Sequence, residues 1–332
     1  MPTLAILGSG GWGTALAVVL AQHPGHQIRL WSYRGDVAER LNRLRENTQQ
    51  LPGVRIPDSI HITPSVDDAT RGADAWITAV PTAFLRSTLK LFHGVAAHPV
   101  PVISLTKGIE IETFRRPSEI IRQELGMGRV VVLSGPSHAE EVARGGPTSL
   151  VAACEDAGLA AWVQHHFGTD RLRVYTNSDL IGVELAGALK NVLAIAAGIC
   201  DGLKFGDNAK AALLTRGLVE MQRFGVTHGA DPSTFYGLAG IGDLMTTCFS
   251  PHGRNRRLGE RLAQGEKLSD LLAGPQVAEG VFTAKSVCER LTRAGLESPI
   301  LQGVYRVLYE GQSPREAVDD LLGRPQREES TC

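Results

Sequence analysis

The 332-residue sequence predicts an α/β domain on a doubly wound, mainly parallel sheet, followed by an all-α domain and a short polar tail. Short apolar runs alternate with helix-like segments through the first half, a pattern that favours parallel strands with helices on both faces. Strand-like alternation nearly ceases close to Asn177, and segments with helical spacing take over. The chain also has the length for two cores, at roughly 100–200 residues per domain. The predicted division is 1–176, 177–325 and a tail over 326–332.

Residues 3–7 form the first apolar run, ending in glycines and followed by a helix-like stretch over 12–22. Residues 27–31 read as the second strand and 36–46 as the next helix. Further strands are expected over 75–80, 100–105 and 129–133, with helices at 82–91 and 117–125, and the runs at 148–153 and 172–175 extend the sheet. Beyond them, helices are expected over 179–199, 209–223, 256–264, 283–294, 300–309 and 314–322, and no repeat of fixed period is visible.

A formal net charge of −1 provides no broad positive field for nucleic acid or an anionic membrane. The five cysteines are scattered and never form a C-x-x-C pair, which argues against a disulfide framework or zinc site and for a reducing, cytoplasmic setting. Four are expected as core filler, with Cys332 in the tail. The ten histidines and the acids show no metal-ligand spacing. Residues 1–22 lack a charged leading segment and are broken by glycines, so they are not read as a secretion signal. Glu184, Lys190 and Asn191 interrupt the longest apolar helix, leaving nothing like the ~18 uninterrupted apolar residues of a membrane span.

Gly8-Ser9-Gly10-Gly11-Trp12-Gly13 follows a strand and opens a helix, the context of a Rossmann-type dinucleotide fingerprint. Gly8 permits the tight turn, Gly10 lets the backbone approach a pyrophosphate, and Gly13 lets helix and strand pack closely. The helix start offers unpaired N–H groups to the phosphates. At the end of the second strand the chain runs Leu30-Trp31-Ser32-Tyr33-Arg34, without the acid that would accept a ribose 2′-hydroxyl. Arg34 suits a 2′-phosphate, with Ser32 adding a hydrogen bond, so NADP(H) is expected to be preferred and NAD(H) possible. The plainer reading of Arg34 is a surface residue resting on adenine.

Three polar clusters stand in apolar surroundings: Thr106-Lys107-Gly108; Lys190-Asn191; and Asp243 with Thr246 and Thr247, running on to Gly253-Arg254-Asn255-Arg256-Arg257. The helix around Lys190 is apolar on nearly every side and is therefore expected to be buried. A buried lysine costs several kcal/mol unless it is paired or its pKa falls. A lowered pKa suits a general acid or base, with Asp243 as its partner. A structural Lys–Asp pair, or a lysine reaching solvent, is the alternative. Arg254 and Asn255 at a helix start suit a small anion, the alternative being a solvated basic patch.

Over essentially its whole length the chain resembles the bacterial, soluble NAD(P)-dependent glycerol-3-phosphate dehydrogenases. The phrases that carry this are 8–15, 106–109, 134–141, 187–192, 237–244 and 253–259, in the family's order. The resemblance implies that the helical domain is of the 6-phosphogluconate-dehydrogenase-like type. It also implies interconversion of dihydroxyacetone phosphate and sn-glycerol 3-phosphate, which supplies the glycerophospholipid backbone, and a homodimer without nucleic-acid or membrane partners.

It further implies Lys190 as proton donor and acceptor, Lys107 against substrate and near the nicotinamide, and Asp243 on substrate and orienting Lys190. Arg254 and Asn255 would hold the phosphate, with Gly253 beside them, and Gly135 and Ser137 would line the substrate pocket. Gly8, Gly10, Gly11, Trp12, Gly13, Arg34, Lys107, Ala139, Arg254, Val277 and Glu279 would contact the dinucleotide. The chain has Gly11 and Gly253 where the family commonly has Ser, which leaves only backbone donors there, and Ser137 keeps the hydroxyl of a position often Thr. Two other readings are a related two-domain dehydrogenase acting on a non-phosphorylated keto or hydroxy acid, and a non-catalytic nucleotide sensor with a dispensable Lys190.

Overall fold

The computed structural model describes residues 1–95, 100–126, 128–274, 278–326 and 328–329. The chain divides into two compact units, one of residues 1–106 and 117–180, the other of 107–116 and 181–332. Val277 and Cys332 lie outside the described residues.

The first unit carries β1 (Thr3–Leu7), α1 (Gly11–Leu20), β2 (Gln27–Trp31), α2 (Gly35–Leu44), β3 (Glu46–Asn47), β4 (Leu51–Arg55), β5 (His61–Thr63), α3 (Val66–Thr70) and β6 (Ala75–Thr78). It continues through α4 (Thr82–Lys90), β7 (Val102–Ser104), α5 (Pro117–Leu125), β8 (Val130–Ser134), α6 (Ala139–Ala143), β9 (Thr148–Ala153), α7 (Ala157–Phe167) and β10 (Leu172–Asn177). The main sheet has the order β10-β9-β8-β7-β6-β1-β2-β5. Pairing is parallel except between β8 and β9. Leu4 of β1 stands opposite Ile28 on one side and Ala75 on the other, so the strand order reverses at β1. That reversal opens the crevice in which ligands bind doubly wound sheets. Two apolar clusters fill the unit, one containing Leu4, Ile6, Leu16 and Leu30, the other Leu7, Trp31, Trp76 and Phe92. The small β3–β4 ribbon, β5 and the helices α3, α6 and α7 have no counterpart in the sequence reading, being short or only weakly periodic.

The second unit holds α8 (Leu180–Gly202), α9 (Asp207–Val226), α10 (Asp243–Phe249), α11 (Arg254–Ala263), α12 (Leu268–Leu272), α13 (Glu279–Ala294), α14 (Pro299–Tyr309) and α15 (Pro314–Leu322). A 3-10 turn (Pro232–Tyr236) and a π turn (Leu238–Gly242) lead into α10. Helix α8 is long and apolar enough to cross a membrane by length and composition, with a mean hydropathy of 1.7. However, 94% of that stretch is buried within the protein, as befits a helix apolar all round at the centre of a bundle. Glu184, Lys190 and Asn191 interrupt this helix as the sequence reading states, so it holds no uninterrupted apolar run of the length a span needs. Glu220 of α9 accepts hydrogen bonds from the N–H groups of Ile300 (2.9 Å) and Leu301 (3.1 Å), capping α14 from a neighbouring helix. Burial pushes its carboxyl up to about 7 against the pull of those two donors.

Residues 107–116 group with the second unit, whereas the sequence reading places them in the first domain. Specific contacts explain the difference. Arg116 pairs at 2.7 Å with Glu184, whose side chain is fully buried in α8. Arg290 lies over the Phe114 ring, and Ser286 donates to the Ile109 carbonyl. A segment this short carries no periodicity from which such allegiance is legible.

Helices α8 and α11 meet at backbone distance. A Cβ added at Gly198 would stand 1.9 Å from the Arg256 carbonyl oxygen, and one at Gly259 would stand 2.0 Å from that of Ile195. Gly198→Ala is therefore expected to destabilise the protein by about 1–3 kcal/mol, the usual scale of overpacking. A urea midpoint unchanged from wild type would overturn that close approach.

Candidate functional site

The glycine loop connects β1 to α1 at the reversal of strand order. Gly8 has φ +128°, and a Cβ there would stand 2.6 Å from the Ala79 carbonyl oxygen at the end of β6. A Cβ on Gly13 would lie 2.0 Å from the Gly8 oxygen, so this glycine lets α1 settle onto the loop. Nothing lies within 4 Å of a Cβ built on Gly10, which is the N-cap of α1 and supplies no side-chain hydrogen bond. This is a helix start with open space before it, and it fits a pyrophosphate, which needs backbone donors and close approach.

Asn47, which the sequence reading did not single out, braces the loop. Its amide donates to the Ser9 carbonyl and to Thr14 Oγ1, both at 2.9 Å. Its position after a helix C-terminus offers no motif by which to find it. Gly11 is more constrained than a lost serine would suggest, because a Cβ there would stand 2.7 Å from the Gln50 carbonyl oxygen. Trp12 packs partly buried against the core of this unit, and Ala139 opens α6.

Arg34 is exposed and forks onto Asp36 in the first turn of α2, with Nε–Oδ1 at 3.0 Å and Nη2–Oδ2 at 2.7 Å. Ser32 is buried, and its hydroxyl pairs with that of Ser9 and donates to the Arg34 carbonyl. These contacts engage it with the loop and the start of α2. Gly135, with φ +121°, follows β8, and Ser137 donates to its carbonyl at 2.9 Å.

The second unit gathers Lys107, Lys190, Asp243 and Thr247. Helix α8 carries Lys190 into the core, while the turns before α10 deliver Asp243 and α10 itself delivers Thr247. Asp243 accepts from Lys190 Nζ on Oδ1 at 2.5 Å and from Lys107 Nζ on Oδ2 at 2.7 Å. Lys190 also donates to Thr247 Oγ1 at 2.6 Å, and Thr247 donates to Asp243 at 3.2 Å. Burial alone would raise the Asp243 carboxyl, but the two ammonium groups hold it below the ordinary carboxylate range. Burial likewise dominates at Lys190 and, with Lys107 alongside, lowers it to about 8 against the attraction of Asp243. An ammonium has three donors. Two are committed to Asp243 and Thr247, which aims the third. The sequence reading named Thr247 in a polar cluster without a role, and its contact depends on how α10 packs against α8. Cys248 beside it is buried, and burial pushes its thiol up to about 12, so it is no nucleophile at neutral pH.

Arg254 and Asn255 open α11, whose N-cap, Gly253, makes no side-chain hydrogen bond and whose first turn has no acid. Arg254 is exposed, without an ion pair or side-chain hydrogen bond among the described residues. Asn255 departs from expectation. Its amide donates to Asn191 Oδ1 at 2.9 Å and accepts from the Gly280 N–H at 3.0 Å, so its side chain ties α11 to α8 and α13. Its backbone N–H lies in the first turn of α11, whose N-cap makes no side-chain hydrogen bond. A Cβ on Gly253 would stand 2.7 Å from the Thr247 carbonyl oxygen, so here too this backbone leaves no room for a side chain. Glu279 begins α13. Among the described residues, no group of three or more His, Cys, Asp or Glu side chains is arranged to hold a metal ion.

Residues 3–160 match the family model described as NAD-dependent glycerol-3-phosphate dehydrogenase N-terminus, and 179–319 match that of its C-terminus. A glycerol-3-phosphate dehydrogenase (NAD(P)+) of Chlorobium phaeobacteroides is 46% identical over 98% of this chain and 99% of its own length. That of Geobacillus kaustophilus is 47% identical, covering 99% and 96% respectively. The crystal structure of glycerol-3-phosphate dehydrogenase from Coxiella burnetii superposes with a TM-score of 0.93 at 37% identity, covering 97% of this chain and 99% of that one. Fold and site define a dinucleotide-dependent oxidoreductase. The chain belongs to the NAD(P)-dependent glycerol-3-phosphate dehydrogenase family.

Asp243→Leu would leave two neighbouring ammonium groups without their shared carboxylate. The expected loss of stability is about 3–5 kcal/mol, as for breaking a buried ion pair from one side. Equilibrium unfolding in urea at neutral pH measures it, and a loss below 1 kcal/mol would mean that the lysines are solvated.

Proposed function

We propose that this chain interconverts dihydroxyacetone phosphate and sn-glycerol 3-phosphate with NAD(P)H, prefers NADPH, and acts as a cytoplasmic homodimer. The observation that carries the reading is Lys190, buried in an apolar helix and held between Asp243 and Thr247 with one donor direction left. Family membership selects this substrate over the non-phosphorylated acids, and the uncapped start of α11 beside Arg254 suits the phosphate.

The glycine loop and the start of α1 hold the pyrophosphate, Trp12, Ala139 and Glu279 contact the dinucleotide, and Arg34 takes the 2′-phosphate in exchange for Asp36. When bound, the nicotinamide cofactor supplies the hydride for reduction and accepts it for oxidation. Arg254 and the α11 backbone anchor the substrate phosphate at a point remote from the reacting carbon, so that binding energy serves orientation. Gly135 and Ser137 line the substrate pocket. Lys190 Nζ places its proton on the carbonyl oxygen as charge develops there, and Lys107 adds positive potential. Asp243 keeps both ammonium groups in place, and Thr247 fixes the direction of the Lys190 proton.

Lys190→Ala is expected to lower turnover by about 10²–10⁴, the scale of a positioned general acid. In the wild type, reduction needs the protonated lysine, so kcat/KM for dihydroxyacetone phosphate should fall as pH rises through about 8. Oxidation needs the free base and should rise over the same interval. Near-wild-type turnover of the alanine variant, or parallel pH profiles in the two directions, would remove Lys190 from the proton transfer.

The reaction itself is tested by loss of NADPH absorbance on adding dihydroxyacetone phosphate, with NADH in parallel. Arg34→Ala should raise KM for NADPH about tenfold or more, the worth of a charge-assisted hydrogen bond, and leave NADH nearly unchanged. An unchanged cofactor ratio would detach Arg34 from the preference. Light scattering of the purified protein decides the dimer.

A further inference from the structure

We propose that Asp201 is a positioning residue: through Arg256 it holds the anion-binding end of α11 in register with Lys190. The inference rests on the reaction proposed above and concerns how that site keeps its dimensions.

Asp201 lies near the end of α8, about three turns beyond Lys190 on the same helix. Its two carboxylate oxygens accept from Lys210 Nζ of α9 at 3.0 and 2.9 Å. Oδ2 accepts also from Arg256 Nε at 2.6 Å. Lys210 is buried, and its ammonium stands 4.6 Å over the Phe249 ring at the end of α10. Arg256 lies 3.7 Å from Glu260 on its own helix. Two cations thus meet two carboxylates, and one charge-balanced cluster joins α8, α9, α10 and α11.

None of these residues has a place in the proton transfer. Their arrangement nevertheless bears on it. Phosphate and carbonyl carbon are separated by the covalent frame of the substrate, so the span from Arg254 to Lys190 has to match that frame. Lys190 belongs to α8 and Arg254 to α11, and the two helices touch through glycine faces. A Cβ at Gly202 would stand 2.6 Å from the Glu260 carbonyl oxygen, and Gly198 meets Arg256 in the same way. Such faces permit close approach, and side-chain bonds set the register along them: Asn255 to Asn191 at 2.9 Å beside Lys190, and Arg256 to Asp201 further along α8. The Asp201–Arg256 bond is the charged member of this pair, two residues beyond Arg254, and a single amide hydrogen bond leaves the helices free to pivot without it. Buried ionic groups of this kind serve specificity of arrangement better than net stability.

Arg256→Met in the full-length protein cuts this link and leaves Asp201 paired with Lys210, so no carboxylate is stranded. We expect kcat/KM for dihydroxyacetone phosphate to fall by about 10²-fold, the cost of a displacement near 1 Å. Dihydroxyacetone, supplied at high concentration, has no phosphate to anchor, and its much lower kcat/KM should be unchanged within a factor of about three. Arg256→Lys, which keeps the cation, should recover part of the loss, and Asp201→Asn should reproduce the Arg256→Met pattern. Equal losses on both substrates would show a merely structural role and overturn the inference, as would an unaltered kcat/KM for dihydroxyacetone phosphate. Lack of turnover by the wild type in the same assay would overturn the reaction itself and this inference with it. Wild-type turnover beside an unaffected Arg256→Met variant overturns the inference alone.

Discussion

Asp243 sits at 2% exposure between two lysine ammonium groups, and much of the helical unit is arranged to keep it there. A lone carboxylate at that depth would take up a proton, and a lone ammonium would lose one. Together they stay ionised, with Lys190 poised close to neutrality. The arrangement requires one lysine from the segment after β7, one from the central helix and a carboxylate from the first residue of α10. The irregular 3-10 and π turns that precede Asp243 are intelligible on this basis. A regular helix through Gly240 would aim the carboxylate elsewhere, and the backbone there has φ −88° and ψ −106°.

The same economy recurs in the amides. Asn191 follows Lys190 and faces α11, where Asn255 bridges it to the Gly280 N–H in the first turn of α13. Neighbouring residues on α8 therefore have separate partners, Lys190 the Asp243–Thr247 pair and Asn191 the start of α11. Buried side-chain amides of this kind are stable only when each donor and acceptor finds a partner. The Asn255 side chain meets that condition on both sides, donating to Asn191 and accepting from Gly280.

The two glycines that replace the family's usual serines, Gly11 and Gly253, show how a local departure is absorbed. Carbonyl oxygens of Gln50 and Thr247 come to 2.7 Å from where each Cβ would be. Neither position has room for a Cβ in this backbone, and the helix starts carry no side-chain cap. The sites differ from the family's pattern in packing and keep the donors that anions need.

The sequence alone determined the features that depend on local chain chemistry. Alternation of short apolar runs specifies the parallel sheet, and β2, α5, β9 and α15 fall where their periodicity and flanking residues place them. The glycine spacing of 8–13 specifies a loop only glycine can form, because Gly8 needs positive φ and Gly13 needs the space of a Cβ. The apolar surroundings of Lys190 already imply burial and a lowered pKa. Tertiary structure decided what depends on which distant atoms meet. It turned Ser32 and the Asn255 side chain inward, gave Arg34 to Asp36, brought Thr247 to Lys190 and Asn47 to the glycine loop, and assigned residues 107–116 to the helical unit. Apart from the Arg34–Asp36 fork, which is local, these depend on groups far apart along the chain, and periodicity reports which face of an element is buried, never which partner a buried polar atom will find there.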